Sequence, residues 1–156
     1  MKHAISYSET GHLCLATLHA NNANQTMDRI LNFFPEVAQR QLLMDLSLNL
    51  RAIISQRLLP TKEGKRIPAV EIMLNSPYIS ELISKGDIGG IKDAMKESTE
   101  EGTVTFDQAL LSLYREGKIT LDEALRNADS KNDLSLEVRM GGGKDDVDEG
   151  SELIMN

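Results

Sequence analysis

The sequence has few aromatic residues and almost no cysteine. Only 4% of its 156 residues are aromatic, tryptophan is absent, and the apolar 40% consists mainly of aliphatic residues. This composition favours a helical core of Leu, Ile, Met and Ala. Because Cys14 is the single cysteine, an internal disulfide is excluded, and a reducing compartment is favoured.

The chain also lacks a long apolar run and a basic region. No stretch approaches the roughly 20 apolar residues of a membrane-spanning helix, so we expect no direct membrane insertion. The formal net charge is −7, and residues 140–156 contribute one lysine against five acidic residues. Without a basic domain, we expect no nucleic-acid partner. The glycines and acids of residues 140–156 predict a disordered acidic tail.

A phosphate-binding loop is the third absence. A nucleotide hydrolase of the P-loop class carries a Gly-rich loop that ends in Gly-Lys followed by Ser or Thr. The nearest match, GGGK at residues 141–144, has no Ser or Thr after its lysine and no predicted strand or helix beside it. The residues therefore predict no P-loop lysine in this chain.

The most informative segment is ETGHLCLATLHANN, residues 9–22. Its centre, residues 13–18, carries apolar residues on both alternating faces, with Thr17 as the polar exception, which predicts a buried strand of a parallel sheet. His19 would follow that strand at its carboxyl end, where open α/β sheets bind ligands, and His12 would precede it. Seven positions separate the two histidines, so a straight strand directs them to opposite faces, and no metal site is predicted.

These histidines have two possible roles. A histidine at a strand end is more often a structural hydrogen-bonding group than a catalyst. A neutral imidazole can also donate to a phosphate oxygen, and a protonated one can pair with it. The residues alone leave both roles open.

Downstream, the pattern alternates between helices and strands. Residues 22–25 have capping-box spacing, and the helix that follows them ends before Pro35. Leucine periodicity predicts a second helix over residues 36–55. Residues 56–60 and 67–74 predict two strands joined by a basic loop.

An internal repeat marks the C-terminal region. TFDQAL at residues 105–110 is echoed by TLDEAL at residues 120–125, and each copy begins with the spacing of a capping box. Gly117 lies where a left-handed residue can end the first helix. The repeat predicts a helical hairpin that serves local stability or, less often, docking.

Residues 9–25 resemble the type IV pilus retraction ATPases, the PilT/PilU family of the secretion-ATPase superfamily, and are most similar to the PilU branch. The similarity continues through DRI at residues 28–30, FFP at residues 33–35 and QLLMDLSLNL at residues 41–50. It extends over about residues 3–139, including residues 56–58, 69–71 and 105–110.

The resemblance implies an α/β fold. Residues 1–75 are expected to form the C-terminal part of a RecA-like P-loop ATPase core with an incomplete sheet, and residues 76–139 a helical C-terminal subdomain. The acidic tail, residues 140–156, follows. In the family, the P-loop lysine, Walker B carboxylates and arginine fingers lie upstream of these residues. The chain is therefore expected to be a C-terminal fragment that is inactive alone.

In this family the Gly-His to Thr-Leu-His segment is called the His box. By position, His12 and His19 are its two histidines. The resemblance implies that His19 senses the terminal phosphate or communicates its loss, and that His12 supports the site. Gly11 and Thr17 match as structural members beside the nucleotide. No residue of this chain is implied as a metal ligand.

For the complete parent protein, the resemblance implies hydrolysis of ATP with Mg²⁺ to power pilus retraction and twitching motility. The expected assembly is a homo-hexamer, or a mixed or stacked assembly with a PilT-like motor. It would lie in the cytoplasm at the pilus base, against an inner-membrane platform protein. Residues 77–86 match the retraction motif of the PilT branch only loosely, which favours an accessory motor.

Two alternatives remain open at this point. The first alternative is a non-catalytic interaction or regulatory module that binds a larger ring. The chain also resembles, less closely, the ATPases of type II secretion and DNA uptake, because the superfamily shares much of the His box.

Overall fold

Eight helices surround one antiparallel β-hairpin in the computed structural model, which describes residues 2–98 and 101–141. In chain order the elements are α1 (Lys2–Glu9), α2 (Ala23–Asn32), α3 (Glu36–Asn49), β1 (Ala52–Pro60), β2 (Arg66–Leu74), α4 (Pro77–Lys85), α5 (Ile91–Glu97), α6 (Phe106–Arg115), α7 (Leu121–Asn127) and α8 (Lys131–Gly141). The mixed α/β class is confirmed. Most of the predicted acidic tail, residues 142–156, lies outside the described residues.

The hairpin has the basic loop that its sequence predicts. Its register runs from the Ala52–Leu74 pair to the Pro60–Arg66 pair. The loop is closed where the amide of Thr61 donates to the carbonyl of Lys65 at 2.8 Å. The predicted strands are therefore confirmed, and β1 begins four residues earlier than predicted.

The predicted helix over residues 36–55 is wrong at its end. Helix α3 stops at Asn49, and Leu50 already has extended backbone, with φ −62° and ψ 135°. Ile53 and Ile54 lie in β1, where they pair with residues of β2. Branched side chains at these positions suit a pleated surface better than a helix end, and cross-strand pairing decides the outcome.

The predicted buried strand over residues 13–18 is also wrong. The segment has no regular secondary structure, and Leu13 and Leu15 are 82% and 90% exposed. A strand needs a neighbour for its backbone groups. Between Leu13 and Ala20, no backbone group hydrogen-bonds to another described residue. Apolar sequence alone therefore does not make these residues a strand. We call residues 12–19, which contain no turn or bend, the extended segment.

Two apolar cores flank the hairpin. The first unites α2, α3, α4 and α5 with Ile53 and Met73 of the hairpin. The second unites α6, α7 and α8 with Leu59 and Ala69, near the other end of the same two strands. Helices α4 and α5 thus share a core with α2 and α3. The boundary at residue 75 between an ATPase core and a helical subdomain stays a prediction.

Each copy of the repeat begins its helix with a threonine cap, and the first copy also forms a complete capping box. Thr105 accepts from the amide of Gln108, and Gln108 accepts from the amide of Thr105, which completes the capping box of α6. Thr120 accepts from the amide of Glu123 at the start of α7. Gly117, with φ +71°, follows α6 as the sequence predicts.

This difference predicts unequal costs for removing the two caps. Thr105→Ala is expected to lower the free energy of unfolding by about 1–2 kcal/mol, and Thr120→Ala by about 0.5–1 kcal/mol. Thr105 is buried and belongs to the complete box, so its loss leaves more polar groups unpaired. Urea unfolding of both variants measures the difference, and equal losses would contradict this explanation.

Candidate functional site

The histidine at the start of the extended segment is held by its local neighbours. Gly11 follows α1 with φ +85°, a conformation that glycine adopts without strain. The turn places the Nδ1 atom of His12 3.0 Å from the hydroxyl of Thr10, with the ring edge-on to Tyr7 at 6.0 Å between centroids. His12 is therefore oriented by α1 and its turn.

The second histidine lies at the far end of the segment, with its side chain exposed. The structure gives the imidazole of His19 no hydrogen-bond partner among the described residues, so it is available to an incoming group. Thr17 lines a groove that does not include Gly11, His12 or His19. The structure therefore does not bring the four predicted residues into one cavity.

That groove has a volume of about 290 Å³ and lies between the extended segment, α1, α3 and β1. Thr17, Asp45 and Asn49 supply polar atoms, and Leu18 and Ile53 supply apolar surface. None of the described residues that line it is a lysine, arginine or histidine. The groove by itself therefore offers no positive charge to a phosphate group.

The turn that follows His19 is anchored by local and long-range hydrogen bonds. Asn22 caps α2 by accepting from the amide of Gln25 at 2.9 Å, as predicted. The reciprocal bond differs from a standard capping box, since Gln25 accepts from the amide of Asn21 at 3.2 Å. The carbonyl of Asn21 accepts from Arg57 at 3.3 Å, and the amide of Ala23 donates to the hairpin at 2.8 Å.

The acceptor of the Ala23 amide is the Oε1 atom of Glu71, a carboxylate that is only 3% exposed. Beside it, the Arg57 guanidinium lies 4.0 Å over the ring of Phe106 and 2.7 Å from Oδ1 of Asp129. We call Arg57, Glu71, Lys92, Asp107 and Asp129 the junction cluster.

Further contacts tie the junction cluster to the C-terminal helices. Arg57 also donates to the carbonyl of Asn127, at 2.7 Å. Lys92 of α5 lies 3.3 Å from Asp129 and 3.8 Å from Asp107. The carboxylate of Asp107 accepts from the amides of Asp129 and Ser130. The cluster therefore connects the turn after His19 to the hairpin, to α5 and to the loop between α7 and α8.

The two carboxylates beside Arg57 have pKa values shifted in opposite directions. Burial raises the pKa of Glu71, and the amide donors Ala23 and Phe106 offset only part of that effect. Burial also acts to raise the pKa of Asp129, but the Arg57 hydrogen bond and charge, with the charge of Lys92, hold it below its ordinary value. The arginine thus pairs mainly with Asp129.

The raised pKa of Glu71 predicts a pH-dependent stability. At pH values between the ordinary pKa of Glu71, 4.5, and its higher pKa in the folded chain, the folded chain binds more protons than the unfolded chain. The free energy of unfolding therefore falls as pH rises through this range. Glu71→Gln removes this slope. Its stability relative to wild type is therefore expected to increase from pH 4 to pH 7 in urea unfolding. If the free energies of unfolding of Glu71→Gln and wild type changed with pH in parallel, the raised pKa of Glu71 would be contradicted.

Sequence analysis did not predict the junction cluster. One signal was present for Glu71, because it alternates in β2 with Ala69 and Met73, which both face the cores. An acid at such a position points inward and needs a partner. Arg57 carries no comparable signal, since the partners Asn127 and Asp129 lie 70 and 72 positions away.

Two kinds of feature are absent from the described ranges, residues 2–98 and 101–141. No group of three or more His, Cys, Asp or Glu side chains in them is arranged to hold a metal ion. No helix in them is long and apolar enough to cross a bilayer.

Comparison with known proteins gives the class. Residues 1–75 match the family described as Type II/IV secretion system protein. The chain is 53% identical to the type IV pilus ATPase PilU of Pseudomonas aeruginosa over 146 residues, which cover 93% of the chain and 38% of that protein. It is 37% identical to a twitching motility protein of Neisseria gonorrhoeae, covering 85% of the chain and 36% of that protein.

A solved structure agrees with these relatives. The crystal structure of the pilus retraction motor PilT with bound ADP superposes with a TM-score of 0.76 at 36% identity, covering 86% of this chain and 38% of that one. The chain therefore belongs to the PilT/PilU family of secretion ATPases. It spans about two fifths of the length of the relatives it matches.

Proposed function

We propose that this chain is the C-terminal part of a motor ATPase that powers retraction of type IV pili and twitching motility. The observation that carries the proposal is the 53% identity to PilU over 93% of the chain. The likeness to PilT with bound ADP supports a nucleotide as the motor's fuel. The chain is 53% identical to PilU and 36% identical to the PilT structure. This difference favours a PilU-like accessory motor.

The exposed apolar surface supports a RecA-like core that further strands complete. Leu13 and Leu15 of the extended segment are uncovered, as are Ile54 and Leu58 on the outer face of β1. We take these exposed apolar side chains as surface that another element covers in the complete motor. In the complete motor, residues 13–18 become a strand once neighbouring strands supply hydrogen-bond partners.

His19 is the residue that we place at the terminal phosphate. It is exposed at the end of the segment, and its imidazole can donate to a phosphate oxygen. His12, held by Thr10 and Tyr7, supports the segment from its other end. Gly11 fits a structural role, because its φ of +85° strains any other residue type. Thr17 borders the groove beside the segment.

The residues of this chain fit only part of a site for ATP and Mg²⁺. His19 can meet one phosphate oxygen, but the sequence has no Gly-Lys-Ser/Thr loop to cradle the phosphates. The described residues have no ligand cluster for a metal ion. We propose that the phosphate loop, the metal ligands and the arginine fingers come from other parts of the complete motor.

The proposed assembly follows the same resemblance. The complete motor is a homo-hexamer, or a mixed or stacked assembly with a PilT-like motor. It acts in the cytoplasm at the pilus base, against an inner-membrane platform protein. The match of residues 1–75 to secretion system proteins and the PilT-like fold support this assignment.

Hydrolysis by the purified 156-residue chain tests the proposal. We expect no release of phosphate from Mg-ATP above a protein-free blank, because the groups that stabilise the transferring phosphoryl group are absent. A stably folded chain that hydrolyses ATP at rates of a complete motor would contradict the proposal.

The second candidate is a non-catalytic interaction module that binds a larger ring. The two apolar cores and the capped helices favour it, because the described residues bury their own core without another chain. The motor proposal instead predicts self-association through the uncovered segment. In sedimentation velocity, the double variant Leu13→Ser, Leu15→Ser is expected to be less associated than wild type. A wild-type chain that is monomeric at high concentration would favour the module.

The third candidate is the corresponding part of a type II secretion or DNA-uptake ATPase. The match to the broad secretion family over residues 1–75 is compatible with it. The higher identity to PilU across nearly the whole chain favours the pilus motor.

A further inference from the structure

We propose that Arg57 and Glu71 are positioning residues that fix the turn after His19, and that the C-terminal helices thereby set where that histidine stands. This inference rests on the proposed function, in which His19 meets the terminal phosphate.

The turn receives its long-range restraints from these two side chains. Arg57 donates to the carbonyl of Asn21, two positions after His19. Glu71 accepts from the amide of Ala23, which is the first residue of α2. Leu18 packs against the first core, but residues 13–18 make no backbone hydrogen bond to another described residue. The hydrogen bonds that restrain the histidine therefore come from its C-terminal side.

Arg57 is itself fixed from the C-terminal half of the chain. One guanidinium nitrogen donates to the carbonyl of Asn127, the other to Asp129, and the plane lies on the ring of Phe106. A planar guanidinium with three such partners has little freedom to rotate. Any displacement of the loop between α7 and α8 therefore moves the guanidinium and, with it, the carbonyl of Asn21.

The surrounding charges make this arrangement difficult to rearrange. The side chains of Arg57 and Asp129 are 20% and 13% exposed. Breaking their ion pair therefore leaves a charged group that is poorly solvated, which is energetically costly. Lys92 neutralises the second oxygen of Asp129, and Asp107 holds the loop through two backbone amides. The junction cluster thus has the properties of a fixed support.

A positioning role predicts a local effect that general destabilisation does not produce. If the cluster holds the turn, loosening it raises the exchange rate of the Ala23 amide and shifts the ¹³C resonances of the His19 ring. The amide of Ile83, deep in the first core, is then expected to keep its exchange rate, because Ile83 lies in α4 and is not a hydrogen-bond or ion-pair partner of the junction cluster.

The experiment is amide exchange and ¹³C NMR on the 156-residue chain with three substitutions. Asp129→Asn removes the charge that faces Arg57, and Arg57→Lys keeps the charge but loses the fork. Asp122→Asn is the matched control, because it breaks an Arg–Asp pair of the same 2.7 Å length on exposed α7, away from the turn. Arg57→Lys also provides a conservative variant in case Asp129→Asn does not fold.

We expect Ala23 to exchange about tenfold faster in Asp129→Asn and Arg57→Lys, the effect of weakening one charge-assisted hydrogen bond. The His19 ring resonances should shift in both, while Ile83 exchange stays constant and Asp122→Asn matches wild type. Unchanged Ala23 exchange, or equal acceleration at Ala23 and Ile83, would overturn the positioning role.

This result is separable from the proposed function. Faster exchange of the Ala23 amide in the two cluster variants establishes that the junction cluster holds the turn, whether or not His19 contacts a phosphate. Conversely, if His19→Ala leaves ATP turnover by the complete motor unchanged, the proposed function fails while the support stands.

Discussion

His19→Ala in the complete motor is expected to lower the rate of ATP turnover by about 10²–10³-fold, with a much smaller change in the KM for ATP. The imidazole is exposed at the end of the segment and has no partner among the described residues, so it has a donor available for the phosphate contact that we propose. A donor that acts mainly as charge develops on that phosphate stabilises the transition state more than the bound substrate. Steady-state hydrolysis at saturating and limiting ATP separates the two parameters.

Two other histidines supply the controls. His3→Ala, an exposed position of α1, is expected to leave turnover unchanged. His12→Ala is expected to lower it less than His19→Ala, because His12 is bonded to Thr10 and our proposal gives it a supporting role, away from the phosphate. Wild-type turnover by the His19→Ala motor would remove the role that we assign to this residue.

Phe106→Ala is expected to lower the free energy of unfolding by about 3–5 kcal/mol. Phe106 is 0% exposed at the start of α6, in the core that also contains Leu59 and Leu110. Its ring also carries the guanidinium of Arg57, so truncation removes apolar contacts and a cation–π contact together. Such a loss is a large share of the 5–15 kcal/mol that a typical domain possesses. Urea unfolding followed by circular dichroism measures it.

Phe106→Leu is the companion variant. It retains most of the buried volume but loses the aromatic face, so we expect a loss of about 1–2 kcal/mol. Phe106→Ala should also raise the exchange rate of the Ala23 amide, because Arg57 loses the surface beneath it. A Phe106→Ala chain as stable as wild type would show that the second core does not depend on this ring.

The elements predicted correctly are those whose signals are local. Gly117 follows α6 in the left-handed conformation that the sequence predicts. Thr105 and Gln108 form the predicted capping box, since its donors and acceptors lie within three positions. Such signals do not depend on the rest of the fold.

The elements predicted incorrectly depend on distant neighbours. Residues 13–18 have the apolar composition of a buried strand, but pairing strands are not supplied by the described residues. Ile53 and Ile54 fit a helical periodicity, and only pairing with β2 assigns them to a strand. Apolar pattern alone cannot distinguish these cases, because strand formation requires a partner.

The candidate site shows the same division. The His-box residues His12 and His19 were found from a local motif, and their roles stay predictions. The junction cluster was missed, because Arg57 and Asp129 are 72 positions apart and neither belongs to a motif. Only the folded chain brings this pair to the turn that follows His19.

The length and sequence of the protein that carries these residues in cells test the central claim most directly. Capture with an antibody against this segment, followed by mass spectrometric sequencing, gives both. We expect a chain roughly 2.5 times as long, in keeping with the 38% of PilU that is matched, with an upstream Gly-Lys-Ser/Thr loop and a Glu-bearing Walker B segment. A cellular product of only these 156 residues would contradict the motor and support the interaction module.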